Sequence, residues 1–261
     1  LEIKDGKKKV VRRYASTDAA PRVDPKQLKI PRYWVRPPRG LSGEPGLHRF
    51  LWDMHYAQIP GVEPEFPMTA VYRNTAPEAT SPWVSPGEYS AVLTANGKSY
   101  NQPLEVKMDP RVKTSASDLA EQFELSKRLY EARTKLEPIS RSFISLNADL
   151  AKAQGRAAHN AVTKPLDTLG RTLQRFAAPD ARPGAPLSLE VLDKVKRLFG
   201  NIQDVDAAPR PSVKVAVSDL EREAESVFER WRNVITQDLP ALNRQLGAAG
   251  LGNIDSKPEE P

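Results

Sequence analysis

Three side chains that could ligate a metal ion lie close together near residue 50. They are His48, Asp53 and His55. Imidazole nitrogens and carboxylates are ordinary ligands for zinc and similar ions. Successive side chains of a strand point to opposite faces, so His48 and His55 could share an ion only across a turn. We therefore interpret them as turn and rim residues and predict no metal site.

Carboxylates are plentiful in the first half of the chain, at Asp53, Glu63, Glu65, Glu78 and Glu88. Glycoside hydrolysis needs two of them facing each other across a cleft, which the loops of a small sandwich rarely provide. We interpret them as surface acids. With no cysteine, serine-centred elbow or phosphate-binding glycine loop, the sequence predicts no catalytic residue and no cofactor.

A histidine in a helical segment raises the question of a di-iron centre, which needs a Glu-x-x-His pair on each of two helices. His159 is the only histidine after residue 112, and two alanines precede it. The residues required for such a centre are therefore absent from the sequence.

Aromatic residues are dense before residue 90, at Trp34, Trp52, Tyr56, Trp83 and Tyr89. Such rings can form a sugar-stacking platform, but large rings also close a small β core efficiently. The core interpretation is favoured, with Trp52 as the main core residue. Glycan or partner contact through Trp34, Tyr56 and Trp83 remains the alternative.

The chain has 261 residues and a net charge of +6, and the basic excess lies in its first part. Residues 1–112 carry 17 Lys and Arg against 12 Asp and Glu. A basic cluster can bind polyanions, yet no recognition helix or aromatic platform accompanies this one. We interpret it as a solvated rim and predict no nucleic-acid partner. The residues concerned are Lys7, Lys8, Lys9, Arg12, Arg13, Arg32, Arg36 and Arg39.

The first part of the chain reads as β structure. Asn96-Gly97 between two apolar runs predicts a hairpin over 88–108, with Tyr100, Leu104, Val106 and Met108 on one face. Asp5-Gly6 predicts another hairpin over 1–14. Further strands are predicted at Leu47–Asp53, with His48, Phe50 and Trp52 on one face, and at Thr69–Tyr72. About six strands result, one or two fewer than a seven-stranded sandwich, and we expect the others before Leu1.

After Asp109-Pro110 the apolar period changes from two to 3.6, which predicts amphipathic helices that must pack together. No run of about 18 apolar residues is present, so no membrane span is predicted. The predicted helices run from a Ser115–Asp118 cap to Glu137, from Pro138 past Leu150, from Val162 to Phe176 and from a Ser188 cap to Ile202. The last and longest helix is predicted after Pro209 and Pro211, with Ser218 and Glu221 as a further candidate capping box, and Pro240 ends or kinks it.

These patterns predict an immunoglobulin-like β-sandwich over residues 1–112 that lacks upstream strands. An antiparallel helical bundle of four to five helices over 113–248 and a C-terminal tail over 249–261 follow.

Several of the same stretches carry a family resemblance. The β part resembles the immunoglobulin-like domain related to the flagellar hook-cap protein. The whole chain resembles the C-terminal part of large exported bacterial proteins with sortilin-like, sialidase-repeat β-propellers, often labelled glycosyl hydrolases. The stretches are Leu1-Glu2-Ile3, Asp5-Gly6-Lys7, Val10-Val11-Arg12, 46–53, 86–98, Gln102-Pro103-Leu104, 106–112 and 239–246.

The resemblance implies an upstream β-propeller, which fits a chain that starts within a predicted strand. It also implies export to the periplasm, the cell surface or the medium. Any hydrolase activity of the family would reside in the propeller, so no catalytic residue carries over to this segment. We expect a non-catalytic structural or protein–protein interaction module whose partner is that propeller or another subunit. The alternative is a glycan-binding or accessory module.

Overall fold

The structure is a computed structural model, and it describes most of the chain. By contacts it divides into unit 1, Leu1–Lys127 with Asp206–Ala208, and unit 2, Arg128–Val205 with Pro209–Pro261. Predicted features at Arg39, Glu63, 69–70, His159 and 256–261 lie outside the described residues. The described residues are 1–19, 25, 28–37, 40–62, 65–68, 71–157, 161–177 and 187–255.

The order of elements along the chain is β structure followed by helices. Unit 1 contains one antiparallel sheet in the order β2-β1-β3-β4. Ile3 and Val11 are the buried side chains of its first two strands. Each strand pairs through ladder hydrogen bonds with the neighbours given by that order. The strands are β1 (Glu2–Asp5), β2 (Val10–Arg13), β3 (Gly87–Ala95) and β4 (Lys98–Val106).

The predicted hairpin over 88–108 is confirmed. Asn96 and Gly97 have φ angles of 51° and 75°, and Ala95 pairs with Lys98, as a two-residue turn with positive φ at both positions requires. Counting from that closing pair, Pro103 stands opposite Ser90 at a non-hydrogen-bonded position. Its missing N–H therefore costs the β3–β4 ladder nothing, which suits an edge strand.

The face predicted for the second arm of that hairpin holds in part. Leu104, Val106 and Met108 are half-buried and alternate with exposed Glu105 and Lys107. Tyr100, assigned to the same face, is exposed.

The first hairpin is also confirmed. The Oδ1 atom of Asp5 accepts hydrogen bonds from the backbone N–H groups of Lys7 at 2.9 Å and Lys9 at 2.8 Å. Leu1 and Tyr14 close the other end, each donating from its backbone nitrogen to the other's carbonyl at 2.9 Å. The carboxylate thus satisfies turn amides that the short strands leave unpaired.

The strand predicted at Leu47–Asp53 is wrong as a member of a sheet, because the segment has no ladder partner among the described residues. The predicted face agrees with the contacts in part: the Phe50 ring lies 4.6 Å from that of Tyr14, and the Trp52 ring 5.9 Å from that of Tyr89. His48, assigned to the same face, is exposed. Trp52 is half-buried. Val71 and Tyr72, the described part of the other predicted strand, are not strand residues either.

Helix α1 (Ala116–Arg156) is a single helix of 41 residues, so the predicted break before Pro138 is wrong. The N-cap prediction is confirmed, since the Asp118 backbone N–H donates to Ser115 Oγ at 3.1 Å. Pro138 sits on the exposed side of α1, while Leu136, Phe143 and others on the opposite side are buried. Burial along that side offsets the one backbone hydrogen bond that proline removes.

Three more helical stretches follow. Ser188 does not cap the backbone of its helix, because its hydroxyl donates to Asp193 Oδ2 at 2.6 Å. The capping box at Ser218 and Glu221 is wrong, because the helix begins seven residues earlier with Pro211 in its first turn. The stretches are α2 (Thr163–Gln174), α3 (Glu190–Gln203), and α4 (Pro211–Asn233) continuing through a π turn (Val234–Asp238) into α5 (Leu239–Ala248).

Pro240 therefore neither ends nor separates the last helical run; it follows the π turn in the first turn of α5. A π turn shifts the hydrogen-bond ladder, and this shift accommodates the missing N–H. Beyond α5, the Asn243 side chain bonds both the carbonyl and the N–H of Ile254 at 2.9 Å, and Ile254 is buried. The described part of the tail is thus tied to the helices.

Unit 2 buries a continuous apolar interior with an aromatic centre. Phe143, Phe176 and Trp231 meet with ring centroids 5.8–6.4 Å apart. An ion pair is buried as well: Arg133 Nε donates to Glu137 Oε1 at 2.9 Å, one turn along α1. Arg128 pairs with Glu221, which joins α1 to α4.

Candidate interaction surface

Isolated bridges, rather than a second sheet, join the described segments of the long connection between β2 and β3. Val35 bridges Thr75, and His55 bridges Trp83. Side chains supply further bonds: Thr80 Oγ1 accepts from the Ile59 N–H at 2.9 Å, and the Gln58 side chain accepts from the Thr80 N–H at 2.7 Å. Regular pairing is interrupted by prolines, which have no N–H to donate.

Tyr56 lies at the centre of this connection. Its carbonyl accepts hydrogen bonds from Arg12 Nη1 and from Ser81 Oγ, both at 2.8 Å. Its ring packs 5.5 Å from that of Phe123 at the start of α1. Arg12, part of the predicted basic cluster, is therefore bound to the carbonyl of Tyr56 and also lies over the Tyr14 ring at 5.1 Å.

His55 is a buried histidine held in a turn. Its backbone N–H donates to Asp53 Oδ1 at 3.1 Å, which agrees with the interpretation of Asp53 as a turn residue. Its ring nitrogen Nδ1 lies 2.8 Å from the Asp53 carbonyl oxygen, which accepts the hydrogen bond. Its ring packs against that of Trp83, with centroids 3.8 Å apart and the ring planes tilted by 40°. Desolvation by burial lowers the pKa of His55, opposed by Asp53.

Three half-buried tyrosines of this region, Tyr14, Tyr56 and Tyr89, have raised pKa values. Burial raises the pKa of Tyr56 to about 12 and raises the pKa of Tyr14 and of Tyr89. The Tyr89 hydroxyl donates to the Ser85 carbonyl at 2.7 Å. Desolvation thus favours the neutral form of these three hydroxyls.

Candidate ligands and acids do not converge in the part of the chain that the structure describes. No group of three His, Asp or Glu side chains there could hold a metal ion. His48 Nε2 lies 2.7 Å from the Glu44 carbonyl, whereas His55 faces Asp53. Among the candidate acids, Glu65 and Glu78 are joined through their backbones, and Glu88 stands opposite Glu105 on the sheet.

The three predicted contact residues lie in different settings. Trp34 is half-buried in a short 3-10 turn, Arg32–Trp34. The carbonyl of Trp34 accepts the Thr75 N–H at 3.1 Å. Tyr56 is half-buried against Phe123. Trp83 is 48% exposed, and its ring packs against that of His55. Trp34 and Trp83 thus belong to two separate bridged pairs of segments.

An exposed aromatic pair was missed by the sequence reasoning. Tyr33 and Tyr72 are each 63% exposed, with ring centroids 6.1 Å apart, and Trp34 lies 6.4 Å from Tyr33. Arg36 fixes the two segments by donating to the side chain and carbonyl of Asn74. Tyr33 and Tyr72 are 39 residues apart in the sequence, and no local pattern indicated that they meet. Below, Tyr33, Trp34 and Tyr72 are called the tyrosine patch.

Comparison with protein-family models, with curated protein sequences and with solved structures finds no match to this chain. Among the described helices, none combines the length and the apolar character needed to cross a bilayer.

Proposed function

We propose that this chain is a non-catalytic structural or protein–protein interaction module at the C-terminus of an exported β-propeller protein. The observation that carries the proposal is the tyrosine patch. Tyr33 and Tyr72 expose large rings that are held in place by backbone bonds between their segments. Rigid, exposed aromatic side chains are typical anchors of protein interfaces.

The surroundings of the patch indicate the kind of partner. Arg32, Arg36 and Arg73 are exposed on the same two segments. A complementary surface would be apolar at its centre and acidic at its rim. The partner we propose is the upstream propeller implied by the family resemblance, or another subunit. Export follows from the same resemblance and is tested by cell fractionation.

The proposal also assigns unit 1 to a β-sandwich and unit 2 to an antiparallel helical bundle. A sandwich is supported by the way Phe50 and Trp52 lie against aromatic residues of the strand region, Tyr14 and Tyr89. In that interpretation the bridged segments form a second, incomplete layer of an immunoglobulin-like domain. An antiparallel helical bundle is supported by the buried stripe of every helix in unit 2.

The first test is the intact mass of the native polypeptide, detected with an antibody against residues 116–156. We expect a mass well above the 29.0 kDa of this chain, because the propeller would precede it. A native polypeptide of 29.0 kDa contradicts the proposal. So does turnover of a glycosidase or peptidase substrate by this chain that one point substitution abolishes.

The second test measures binding between this chain and the separately produced upstream region by calorimetry. Replacing both Tyr33→Ser and Tyr72→Ser is expected to weaken binding by about a hundredfold, in line with the loss of two anchors. Tyr100→Ser, an exposed tyrosine on β4, is the matched control and should change little. Equal binding by all three proteins would overturn the role of the patch.

A glycan-binding function is the second candidate. Trp83 favours it, because its half-exposed ring is held against the His55 ring, tilted by 40°, and could stack on a sugar. A glycan array should then show binding that Trp83→Ala or Trp34→Ala abolishes and Tyr100→Ala preserves. An accessory role in a propeller hydrolase is distinguished by comparing turnover of the full-length and truncated proteins.

A further inference from the structure

The segment from Leu47 to Asp53 has the alternation of a β-strand but pairs with no strand in the part of the chain that the structure describes. Phe50 and Trp52 pack against Tyr14 and Tyr89. Between them Leu51 is 62% exposed, and Leu47 is fully exposed. The side of the segment that carries Phe50 and Trp52 therefore packs within unit 1, whereas Leu47 and Leu51 are exposed to solvent.

Residues 47–52 have an unpaired backbone in the part of the chain that the structure describes. None of their backbone N–H or C=O groups takes part in a hydrogen bond there, whereas the carbonyl of Asp53 accepts from His55 Nδ1. A hollow of about 470 Å³ opens against Leu47, His48, Arg49 and Phe50. Unpaired backbone groups beside exposed apolar side chains are a template for the addition of another strand.

The charges on the outer side identify the added strand. Arg49 and Asp53 are both exposed, and alternation places them on the same side of the segment as Leu51. Neither forms an ion pair with another described residue, and the Asp53 carboxylate accepts the His55 N–H through Oδ1. In an antiparallel pair of two copies centred on Leu51, Arg49 of each copy stands opposite Asp53 of the other. The two leucines at position 51 then face each other. The segment is thus complementary to itself in charge and in apolar contact.

We propose that residues 47–53 are a self-association surface, through which two copies of this chain pair antiparallel strands about a twofold axis at Leu51. The inference goes beyond the proposed function and uses residues outside the tyrosine patch. A single strand pair buries little surface, so we expect a dissociation constant of about 10 to 500 µM. Such a dimer becomes significant when the parent protein is concentrated or tethered.

Cysteine cross-linking tests the register, because the natural chain has no cysteine. Leu51→Cys should form a disulfide-linked dimer under mild oxidation, since facing Cβ atoms lie within disulfide reach. Val215→Cys, equally exposed on α4, should remain mostly monomeric. A mixture of Arg49→Cys and Asp53→Cys chains should give mixed dimers, whereas either variant alone should cross-link poorly. Cross-linking of Leu51→Cys no faster than that of Val215→Cys overturns the proposal.

Sedimentation equilibrium tests the charge pairing without cross-linking. Arg49→Asp alone and Asp53→Arg alone each place like charges opposite one another, and each should weaken dimerisation about tenfold. Mixing the two variants restores both attractive pairs and should recover dimers, now between unlike chains. An unmodified chain that stays monomeric at about 1 mM, above the range expected for this interface, overturns the proposal. If Asp53→Arg fails to fold, the Leu51→Cys result still decides.

Discussion

Unit 1 and unit 2 are stabilised by different kinds of interaction. Unit 2 buries Leu, Val and Phe side chains along every helix, and its described interior includes many fully inaccessible residues. Unit 1 has few such residues and depends on paired rings, an arginine and side-chain bonds to its loops. The difference shows that unit 2 has the larger buried core, whereas unit 1 leaves more apolar and aromatic groups exposed.

The largest expected effect comes from the aromatic centre of unit 2. Phe143→Ala should lower the free energy of unfolding of this unit by about 3 to 5 kcal/mol, because it leaves a cavity beside Phe176 and Trp231. Hydrogen exchange of α2 amides measures it. Ile144→Ala, at the neighbouring exposed position, should change the value by less than about 0.5 kcal/mol. Similar costs at both positions would remove the contrast with unit 1.

The buried ion pair gives the next effect. Glu137→Leu leaves the Arg133 charge buried without its partner and should cost about 3 kcal/mol. The double variant Arg133→Met with Glu137→Leu should recover most of that loss, because packing replaces the pair. The same exchange measurement on α2 and α4 reports both. A double variant as unstable as Glu137→Leu would show that apolar packing cannot replace the contribution of the ion pair to the free energy of unfolding.

In unit 1, the Ser81 hydroxyl is expected to contribute measurably to the free energy of unfolding. Ser81→Ala removes one of two donors to the Tyr56 carbonyl and should destabilise unit 1 by about 1 kcal/mol. Exchange of β3 amides measures the loss, and α2 amides should be unchanged. Ser99→Ala, at an exposed hydroxyl that contacts Thr94, serves as the control. Equal losses of stability in Ser81→Ala and Ser99→Ala would contradict a stabilising role for the Ser81–Tyr56 hydrogen bond.

The smallest effect is a pH dependence confined to unit 1. The folded-state pKa of His55 is lowered below its ordinary value of 6.5. Below about pH 6.5 the unfolded chain therefore binds a proton before the folded one, and unit 1 loses stability as the pH falls. Thermal unfolding followed by tryptophan fluorescence should show this slope. It should be reduced in His55→Gln, and a slope that is unchanged in this variant would assign it to another group.

The hairpins were predictable because their information is local. Asn96-Gly97 and Asp5-Gly6 set the turns within a few residues, and the structure confirms both. The N-cap at Ser115 was found for the same reason. The face of Phe50 and Trp52 also followed from alternation alone, although the strand they were assigned to has no partner.

The candidate surface was only partly accessible to such reasoning. Residue type singled out Trp34, Tyr56 and Trp83, and their settings came from the fold. Tyr33 and Tyr72 meet because Val35 and Thr75 form a bridge, a pairing of distant segments that no local pattern encodes.

The sequence by itself determined the β-then-α order, both hairpins and the amphipathic stripes, since turn residues and apolar periods act over a few positions. Only the tertiary structure decided that α1 runs through Pro138, that the last helical run passes Pro240 by a π turn, and that residues 47–53 have no partner strand among the described residues. The reason is energetic: a proline costs a helix one local hydrogen bond, and burial along its length can outweigh that cost. A strand, by contrast, needs a neighbour to supply its bonds.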